Sequence, residues 1–261
     1  MASKPLRVIV TRPLAQAVPW VEALRESGFD AHALPLIDIE PMADPTPVRE
    51  AWSRVPGAGL VMFVSANAVH HFFAQQPEGF AWPPSALAGS TGPGTTAALQ
   101  QSGLPAACIV EPLPGASFDS ESLWARLKAR NWQGQRVIVV RGEDGRDWLA
   151  EQLREAGAIV EHVAAYRRLA PTPGPDARAL LDAAIAEPAA FCWFFTSSEA
   201  VGHLRELAPQ ADWRASQALA SHLRIAQAAR QAGFGDVRLV DPRPASVVET
   251  MALIQAQVAS A

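Results

Sequence analysis

Short apolar runs alternate along the chain with segments of helical periodicity. Residues 8–10 form the first such run, and residues 15–28 then place Trp20, Val21 and Leu24 on one face before ending at Gly28. An apolar run bounded by turn residues predicts a strand that is buried on both faces, and regular alternation of strands with helices predicts a parallel sheet. The pattern therefore predicts an α/β protein with parallel sheets.

The same alternation predicts ten strands. They lie near residues 8–10, 30–34, 60–65, 86–89, 107–110, 136–140, 159–163, 191–196, 217–220 and 237–240. Ten strands are too many for one ordinary open sheet and suit two sheets of five. A length of 261 residues also suffices for two domains with a core each.

An internal repeat supports this division. The matched pairs, first copy to second, are residues 8–10 with 137–139, Arg12 with Arg141, Leu24 with Leu153, Gly28 with Gly157, residues 63–69 with 195–201, Gly103 with Gly233, and Pro112 with Pro242. Their order is conserved and the offset stays between 129 and 132. A common order at a nearly constant offset indicates a duplication.

The duplication is compatible with two spatial arrangements. The halves can be contiguous, at about 1–130 and 131–261, or the middle segments of both copies can exchange between domains. Residues 34–41 and 163–171 occupy equivalent places in the repeat, look extended and end at proline. Two such strands could pair as a hinge, and the residues alone leave both arrangements open.

Composition and charge exclude several classes of protein. The formal charge is −4, whereas a sequence-independent nucleic-acid binder needs a basic surface. No apolar run approaches the roughly 18 residues of a membrane helix, and the first run is too short for a secretory signal. Two cysteines cannot form a disulfide framework. We expect a cytoplasmic protein without a nucleic-acid or membrane partner.

Polar turns follow two of the predicted strands at equivalent places in the repeat. Residues 65–67 read Ser-Ala-Asn, and residues 196–198 read Thr-Ser-Ser. Ser65, Asn67, Ser197 and Ser198 can each cap a helix, and free amides at such a turn also attract anions. One such turn fits a simple helix cap about as well as a ligand site. Because the turn recurs in both copies of the repeat, a ligand site is favoured.

A glycine-rich loop, residues 89–96, contains Gly92 and Thr95. Its glycine order fits neither the dinucleotide fingerprint nor the P-loop, which disfavours a nucleotide. Its amides suit carboxylates or phosphates. In the second copy Ser221 and His222 take the equivalent turn.

Two arginines are further candidates for binding an anion. Arg141 and Arg146 follow a strong predicted strand and can bind carboxylates, or they can pair with Glu143, Asp144 or Asp147. The six histidines show no metal-ligand spacing, and Cys108 and Cys192 are predicted to be buried fillers inside strands. We therefore expect no metal site.

Tyr166 is the single tyrosine of the chain, and its counterpart in the first copy is Ile37. A phenol at a domain junction can act as a proton donor that faces a cleft. A buried structural tyrosine is the alternative, and the residues alone favour it.

The motifs together resemble the uroporphyrinogen-III synthase family. They are residues 10–13 (VTRP), 34–41 (LPLIDIEP), 63–69 (FVSANAV), 92–95 (GPGT), 140–146 (VRGEDGR), 166–168 (YRR), 195–201 (FTSSEAV) and 221–226 (SHLRIA). No single motif is diagnostic, and the resemblance depends on their order and spacing over the whole chain.

The resemblance implies an exchanged arrangement of two flavodoxin-like domains. Residues 1–34 and 172–261 would form one domain, residues 42–163 the other, and residues 35–41 and 164–171 paired linker strands. The implied enzyme is a cyclising lyase of porphyrin biosynthesis, on the route to haem and sirohaem. It converts the linear tetrapyrrole hydroxymethylbilane into uroporphyrinogen III, with ring D inverted, in the cleft between the domains. No cofactor or metal is implied, and we expect a monomer.

The resemblance also assigns site residues. Tyr166 falls on the tyrosine that assists departure of the substrate hydroxyl, and Ser65, Thr95 and Ser197 fall on turn residues of the family. The substrate-binding candidates are Arg12, Ser65, Asn67, Gly92, Thr95, Arg141, Arg146, Ser197, Ser198, Ser221 and His222. Residues 221–224 (SHLR) depart from family members that have Gly and Thr there.

Two other classes of protein are alternatives to this enzyme family. A non-catalytic two-domain protein that binds an anionic metabolite would have no need of an acid at position 166. A flavin-dependent redox domain suits the fold but lacks a cofactor signature in the loops.

Overall fold

The structure is a computed structural model that describes residues 6–143 and 147–260. In these residues the chain forms eleven strands: β1 Arg7–Val10, β2 Asp30–Ala33, β3 Asp38–Pro41, β4 Ala58–Phe63, β5 Leu87–Ser90, β6 Ile109–Val110, β7 Arg136–Gly142, β8 Ile159–Leu169, β9 Phe191–Phe195, β10 Gln217–Ala220 and β11 Asp236–Leu239. The α-helices are α1 Leu14–Glu26, α2 Thr46–Arg54, α3 Ala66–Phe73, α4 Pro93–Gln101, α5 Ser120–Leu127, α6 Trp148–Glu155, α7 Pro175–Ala186, α8 Ser198–Leu207, α9 Leu223–Gln231 and α10 Pro244–Ser260.

The chain divides into two compact units. Met1–Asp38 and Leu169–Ala261 form what we name the terminal unit, and Ile39–Arg168 form the central unit. Each unit contains one sheet and is described by itself.

The sheet of the terminal unit has the order β11-β10-β9-β1-β2, with every neighbouring pair parallel. All five residues of β9 are buried, because a central strand of such a sheet is covered by helices on both faces. Val8 and Phe194 pack with residues of α1 and α10 on one face. On the other face Trp193 packs edge-on against Trp213 and Phe234. The unit is thus a three-layer doubly wound domain.

The sheet of the central unit has the order β3-β8-β7-β4-β5-β6, and β8 through β6 are mutually parallel. Alternate residues of β4 face opposite layers. Val61 and Phe63 join a cluster with α2, α3 and α4, whereas Leu60 and Met62 join a cluster with α5 and α6. This alternation follows from the two-residue period of a strand.

The prediction of five strands for this sheet was wrong by one. Asp38–Pro41 adds a sixth strand at the edge, beside β8. It lies within residues 34–41, the segment expected to be extended and able to pair with residues 163–171, and none of its residues is fully buried. The prediction for Cys108 was also wrong in detail, because this buried residue ends a 3₁₀ turn, Ala106–Cys108, just before β6.

The repeat is visible in both sheets. In the terminal unit β1 and β2 come from the first copy of the repeat and β9–β11 from the second; in the central unit β4–β6 come from the first copy and β7 and β8 from the second. Gly28 and Gly157, matched by the repeat, both have a positive φ, 87° and 92°, directly after a helix. A positive φ favours glycine, because glycine has no Cβ that would clash with the backbone.

These observations confirm the predicted fold class, α/β with two parallel sheets. Among the described residues, no helix combines the length and the apolar character that a membrane crossing requires.

Candidate active site

The candidate residues of the central unit lie where its parallel strands end. The chain runs from β4 outward to β5 and β6, and from β7 outward to β8 on the other side, so the strand order reverses between β4 and β7. Ligands of doubly wound proteins bind at the carboxyl ends of the strands at such a reversal. Ser65 follows β4 and Arg141 lies near the end of β7, so these two candidates flank the reversal.

Ser65 begins helix α3. Its backbone is extended, and its Oγ accepts a hydrogen bond from the Ala68 backbone N–H at 3.2 Å. The capping function expected of this serine is therefore present. Asn67, also a candidate, lies in the first turn of α3 and is half-buried.

Tyr166 is placed by an irregularity between β7 and β8. Arg141 is paired with Ala164, but the next residue of β7, Gly142, is paired with Tyr166, so that β8 contains one extra residue. A bulge of this kind shifts the alternation of side chains. Ala165 and Tyr166 consequently both join the core cluster of α2, α3 and α4, although they are adjacent in the strand.

The ring of Tyr166 is enclosed, with an exposed fraction of 0%. A Cβ on Gly142 would lie 3.1 Å from its Cε2 atom, so glycine leaves room for the ring. His71 of α3 stacks with the tyrosine ring, with ring centroids 5.8 Å apart and an angle of 24° between the planes. Burial, and to a smaller degree the charge of His70, lowers the pKa of His71, which favours a neutral imidazole beside the phenol.

The hydroxyl of Tyr166 is held by two side chains. Its Oη lies 3.1 Å from Ser65 Oγ, and Nη2 of Arg168 donates to it at 3.3 Å. The Arg168 guanidinium also lies 5.7 Å from the centre of the tyrosine ring. The buried tyrosine favoured by the residues alone is therefore what the structure contains, and its hydroxyl contacts a serine at the carboxyl edge.

The glycine-rich loop forms a tight turn before α4. Gly92 caps that helix, and Ser90 Oγ both accepts from the Gly92 N–H and donates to the Gly92 carbonyl oxygen. Thr95 is 6% exposed in the first turn of α4. The exposed side chain of Phe118 covers the turn, since a Cβ on Gly92 would lie 3.3 Å from Phe118 Cβ.

Arg141 forms an ion pair within the unit. Its Nη1 bonds to Oδ1 of Asp147, and Nε2 of His162 lies 3.1 Å from the same oxygen. Arg141 thus contacts Asp147, one of the partners considered in the sequence, while Asp144 lies outside the described residues. Burial lowers the pKa of His162, and the nearby Asp147 carboxylate opposes that shift. Arg146, a further candidate, lies outside the described residues.

In the terminal unit Arg12 follows β1, next to the reversal of strand order between β1 and β9. Its Nη2 donates to Oε1 of Gln16 at 3.0 Å, and its guanidinium lies 5.7 Å from the Trp20 ring centre. Its Nε is buried and bonds to none of the residues that the structure describes. Burial lowers the pKa of Arg12, yet a guanidinium stays charged in proteins. A half-buried guanidinium whose Nε has no hydrogen-bond partner is suited to bind a carboxylate.

The other candidates of this unit open helices at the ends of β9 and β10. Ser197 Oγ caps α8 by accepting from the Glu199 N–H at 3.2 Å, and Ser198 is the first residue of that helix. The exposed His222 caps α9, with its Nδ1 accepting from the Arg224 N–H at 3.3 Å, and Ser221 precedes it. His222 therefore takes over in α9 the capping function that serine has in α8.

The candidates thus fall into two groups, each at the carboxyl edge of one sheet. Ser65, Gly92, Thr95, Arg141 and Tyr166 belong to the central unit; Arg12, Ser197, Ser198, Ser221 and His222 belong to the terminal unit. The positive ends of α3, α4, α8 and α9 and the Arg12 guanidinium all favour anions. Sequence reasoning missed the parts that Gly142, His71 and Arg168 play around Tyr166.

Within the described ranges, no group of three or more His, Cys, Asp and Glu side chains could hold a metal ion. Cys108 and Cys192 are free and buried, and burial raises the pKa of Cys192. A thiol protonated in this way is a poor nucleophile.

Comparison with known proteins gives one consistent family. A family model described as uroporphyrinogen-III synthase HemD matches residues 18–248. The uroporphyrinogen-III synthase of Synechococcus elongatus is 30% identical over 227 residues, which cover 82% of this chain and 81% of that protein. The uroporphyrinogen-III synthase of Proteus mirabilis is 28% identical over 165 residues, which cover 63% of this chain and 81% of that protein.

A solved structure supports the fold. A mutant uroporphyrinogen III synthase from Thermus thermophilus matches with a TM-score of 0.59 at 20% identity, over 97% of this chain and 99% of that one. These comparisons confirm the resemblance and the assignment as an enzyme, and they do not favour the non-catalytic binding protein. The match of the family model over residues 18–248 shows that the chain belongs to the uroporphyrinogen-III synthase family, whose members are enzymes of tetrapyrrole biosynthesis.

Proposed function

We propose that this chain performs its family's reaction with the residues at the two carboxyl edges. The reaction removes water from linear hydroxymethylbilane and closes the ring to uroporphyrinogen III with ring D inverted. The observation that carries this assignment of residues is the contact between Tyr166 and Ser65, because it brings an oxygen acid to the edge where ligands of such sheets bind.

Substrate carboxylates are proposed to bind at the helix N-termini that begin at these edges. Hydroxymethylbilane carries eight carboxylates, while the protein has a net charge of −4. Backbone amides and helix dipoles supply local positive potential without an excess of lysine. Gly92 and Thr95 would contribute through the amides of their turn, and Ser197, Ser198 and Ser221 through theirs.

Arg12 would add a charge-assisted hydrogen bond to a substrate carboxylate through its unbonded Nε. Arg141 contributes less in this proposal, because Asp147 already neutralises it. Asn67, His222 and Arg146 remain candidates for further substrate contacts.

The phenol of Tyr166 is proposed to assist departure of the substrate hydroxyl. A phenol is protonated at neutral pH and can give a proton or a hydrogen bond to the leaving oxygen. Loss of that hydroxyl gives an azafulvene, and ring D then attacks through a spiro intermediate. Spontaneous closure gives the uninverted isomer, so the enzyme must hold both ends of the chain while ring D turns.

The test is the isomer made by the purified protein. Freshly generated hydroxymethylbilane is mixed with the enzyme, the products are oxidised, and the type I and type III isomers are separated. We expect type III in excess, formed faster than the type I of an enzyme-free control. Type I alone at the control rate would contradict the assignment.

We further propose that the enzyme acts as a monomer in the cytoplasm. Two free, buried cysteines suit a reducing compartment. Light scattering coupled to size exclusion should give a mass near 27.9 kDa, and a mass of twice that value would contradict the monomer.

A further inference from the structure

The hydrogen bonds around Tyr166 have a direction that is fixed by Arg168. A guanidinium donates hydrogen bonds and accepts none, so Oη of Tyr166 must accept from Arg168. Oη keeps one hydrogen to donate, and Ser65 Oγ lies within reach at 3.1 Å. Ser65 Oγ also accepts from the Ala68 N–H, which orients its lone pairs toward the protein. The hydrogen of the Ser65 hydroxyl is then left to point away from Tyr166.

Burial distinguishes the two hydroxyl groups. The tyrosine side chain is 0% exposed, whereas Ser65 is half-buried at the carboxyl edge of β4. Arg168, two residues beyond Tyr166 on β8, is exposed. A substrate oxygen at this edge would therefore meet Ser65 before it could meet the phenol.

We propose that Arg168, Tyr166 and Ser65 form a proton relay in which the Ser65 hydroxyl contacts the substrate and Arg168 is the positioning residue. The relay rests on the proposed function, and it assigns to Arg168 a part in the reaction that neither the motifs nor the comparisons give. Tyr166 then acts through Ser65, although it was the residue expected to contact the substrate.

The proton transfers balance. The Ser65 O–H bond breaks as its proton passes to the substrate hydroxyl, and the substrate C–O bond breaks with its electron pair leaving on water. The Tyr166 proton moves to Ser65 Oγ, which leaves a phenolate beside the Arg168 guanidinium. Ring closure later releases a proton from the attacking pyrrole, and that proton returns to the phenolate. No oxidant, reductant or other reactant is needed.

The test is a double-mutant cycle on full-length enzyme, with Arg168→Met, Tyr166→Phe and the pair combined. If Arg168 acts through the phenol, Arg168→Met lowers kcat about tenfold to a hundredfold, the range of one charge-assisted hydrogen bond, and leaves KM within about twofold. In the Tyr166→Phe background the same substitution then has no further effect on kcat. Arg168→Lys, which keeps a cationic donor, should retain more kcat than Arg168→Met.

Arg167→Met is the matched control. Arg167 lies on the same strand, but its guanidinium bonds to Glu40 at 2.7 Å and 3.2 Å instead of contacting Tyr166. This variant should keep wild-type kcat. Urea unfolding midpoints of all variants show whether a loss of kcat comes from loss of fold.

Three results would overturn the relay: wild-type kcat in Arg168→Met, an effect on KM alone, or the same loss of kcat in both backgrounds. An effect on KM alone would make Arg168 a carboxylate-binding residue.

Ser65→Asn separately tests whether the Ser65 hydroxyl passes the proton to the substrate, because asparagine still caps a helix but carries no hydroxyl. Its kcat should fall with that of Tyr166→Phe, and a wild-type kcat would remove Ser65 from the relay. Wild-type protein that made only type I would instead refute the proposed function, which the isomer assay shows independently of these variants.

Discussion

Gly142 and Tyr166 are in contact across two paired strands. A Cβ at residue 142 would lie 3.1 Å from Cε2 and 3.2 Å from Cζ of the tyrosine ring. The ring also stacks with His71. The position of the phenol, and with it the hydrogen bond to Ser65, therefore depends on the absence of a side chain at residue 142.

Replacing Gly142 by alanine should displace the ring. Overpacking a buried contact costs about 1–3 kcal/mol of unfolding free energy, and we expect kcat to fall as the phenol leaves Ser65. Urea unfolding and steady-state kinetics measure the two effects. Gly174→Ala is the control, because no atom lies within 4 Å of an added Cβ there. Equal stability and equal kcat in the two variants would contradict the contact.

Arg12→Met should weaken substrate binding without weakening the fold. A charge-assisted hydrogen bond to a carboxylate is worth about 1.5–3 kcal/mol, so KM should rise about tenfold or more. Stability should hold or increase, since the half-buried guanidinium has an unbonded Nε. Arg243→Met removes an exposed arginine that is paired with Asp241 and should leave KM unchanged. A wild-type KM in Arg12→Met would exclude Arg12 from the binding residues.

Ser65→Ala should lower stability by about 1 kcal/mol through loss of the α3 cap, and Ser65→Asn should restore most of that loss. Both variants lack the hydroxyl, so both should lose kcat. Ser197→Ala is the control for stability, because Ser197 caps α8 in the same way but does not contact a tyrosine. Its loss of unfolding free energy measures the effect of removing a cap alone. If Ser65→Asn regained activity along with stability, the serine would be a cap only.

The stability of the enzyme should fall in mild acid, partly because of His71. Its pKa is lowered in the folded state, while the unfolded chain titrates near the ordinary value of about 6.5. Between the two pKa values the unfolded chain binds a proton that the folded protein does not, so protonation favours unfolding. The stability that depends on a neutral His71 is therefore complete at higher pH and decreases as the pH falls from about 7 toward the folded pKa. Urea unfolding at pH 7.5 and 5.5 should show a smaller decrease for His71→Gln than for wild type. Because the charge of the exposed His70 adds a smaller part of this shift, His70→Gln should reduce the decrease less than His71→Gln does. Equal decreases in all three proteins would contradict the effect.

Much of the fold follows from local pattern. Residues 191–195 are apolar without interruption because helices cover both faces of the sheet, and that leaves a direct signal in the sequence. Ser65 and Ser197 mark helix starts, because capping is a local interaction. The edge strand Asp38–Pro41 leaves a weaker signal, an extended segment that ends at proline, since it is only partly buried and depends on pairing with β8.

The environment of Tyr166 could not be predicted from the sequence. Its inward direction depends on a bulge, and a bulge is a property of the register between β7 and β8 and not of either segment alone. Its hydroxyl partner Ser65 is 101 residues away in sequence. For the same reason the sequence left the acidic partner of Arg141 open, and the folded chain shows a contact with Asp147.

The rate at which Tyr166→Phe forms the type III isomer tests the assigned site most directly. The substitution removes one oxygen atom from a ring that keeps its contacts with Gly142 and His71. We predict a loss of kcat of about a hundredfold or more, as expected for removal of a general acid, with little change in the urea midpoint. Formation of type III by the folded variant at the wild-type rate would contradict the account of Tyr166 given above.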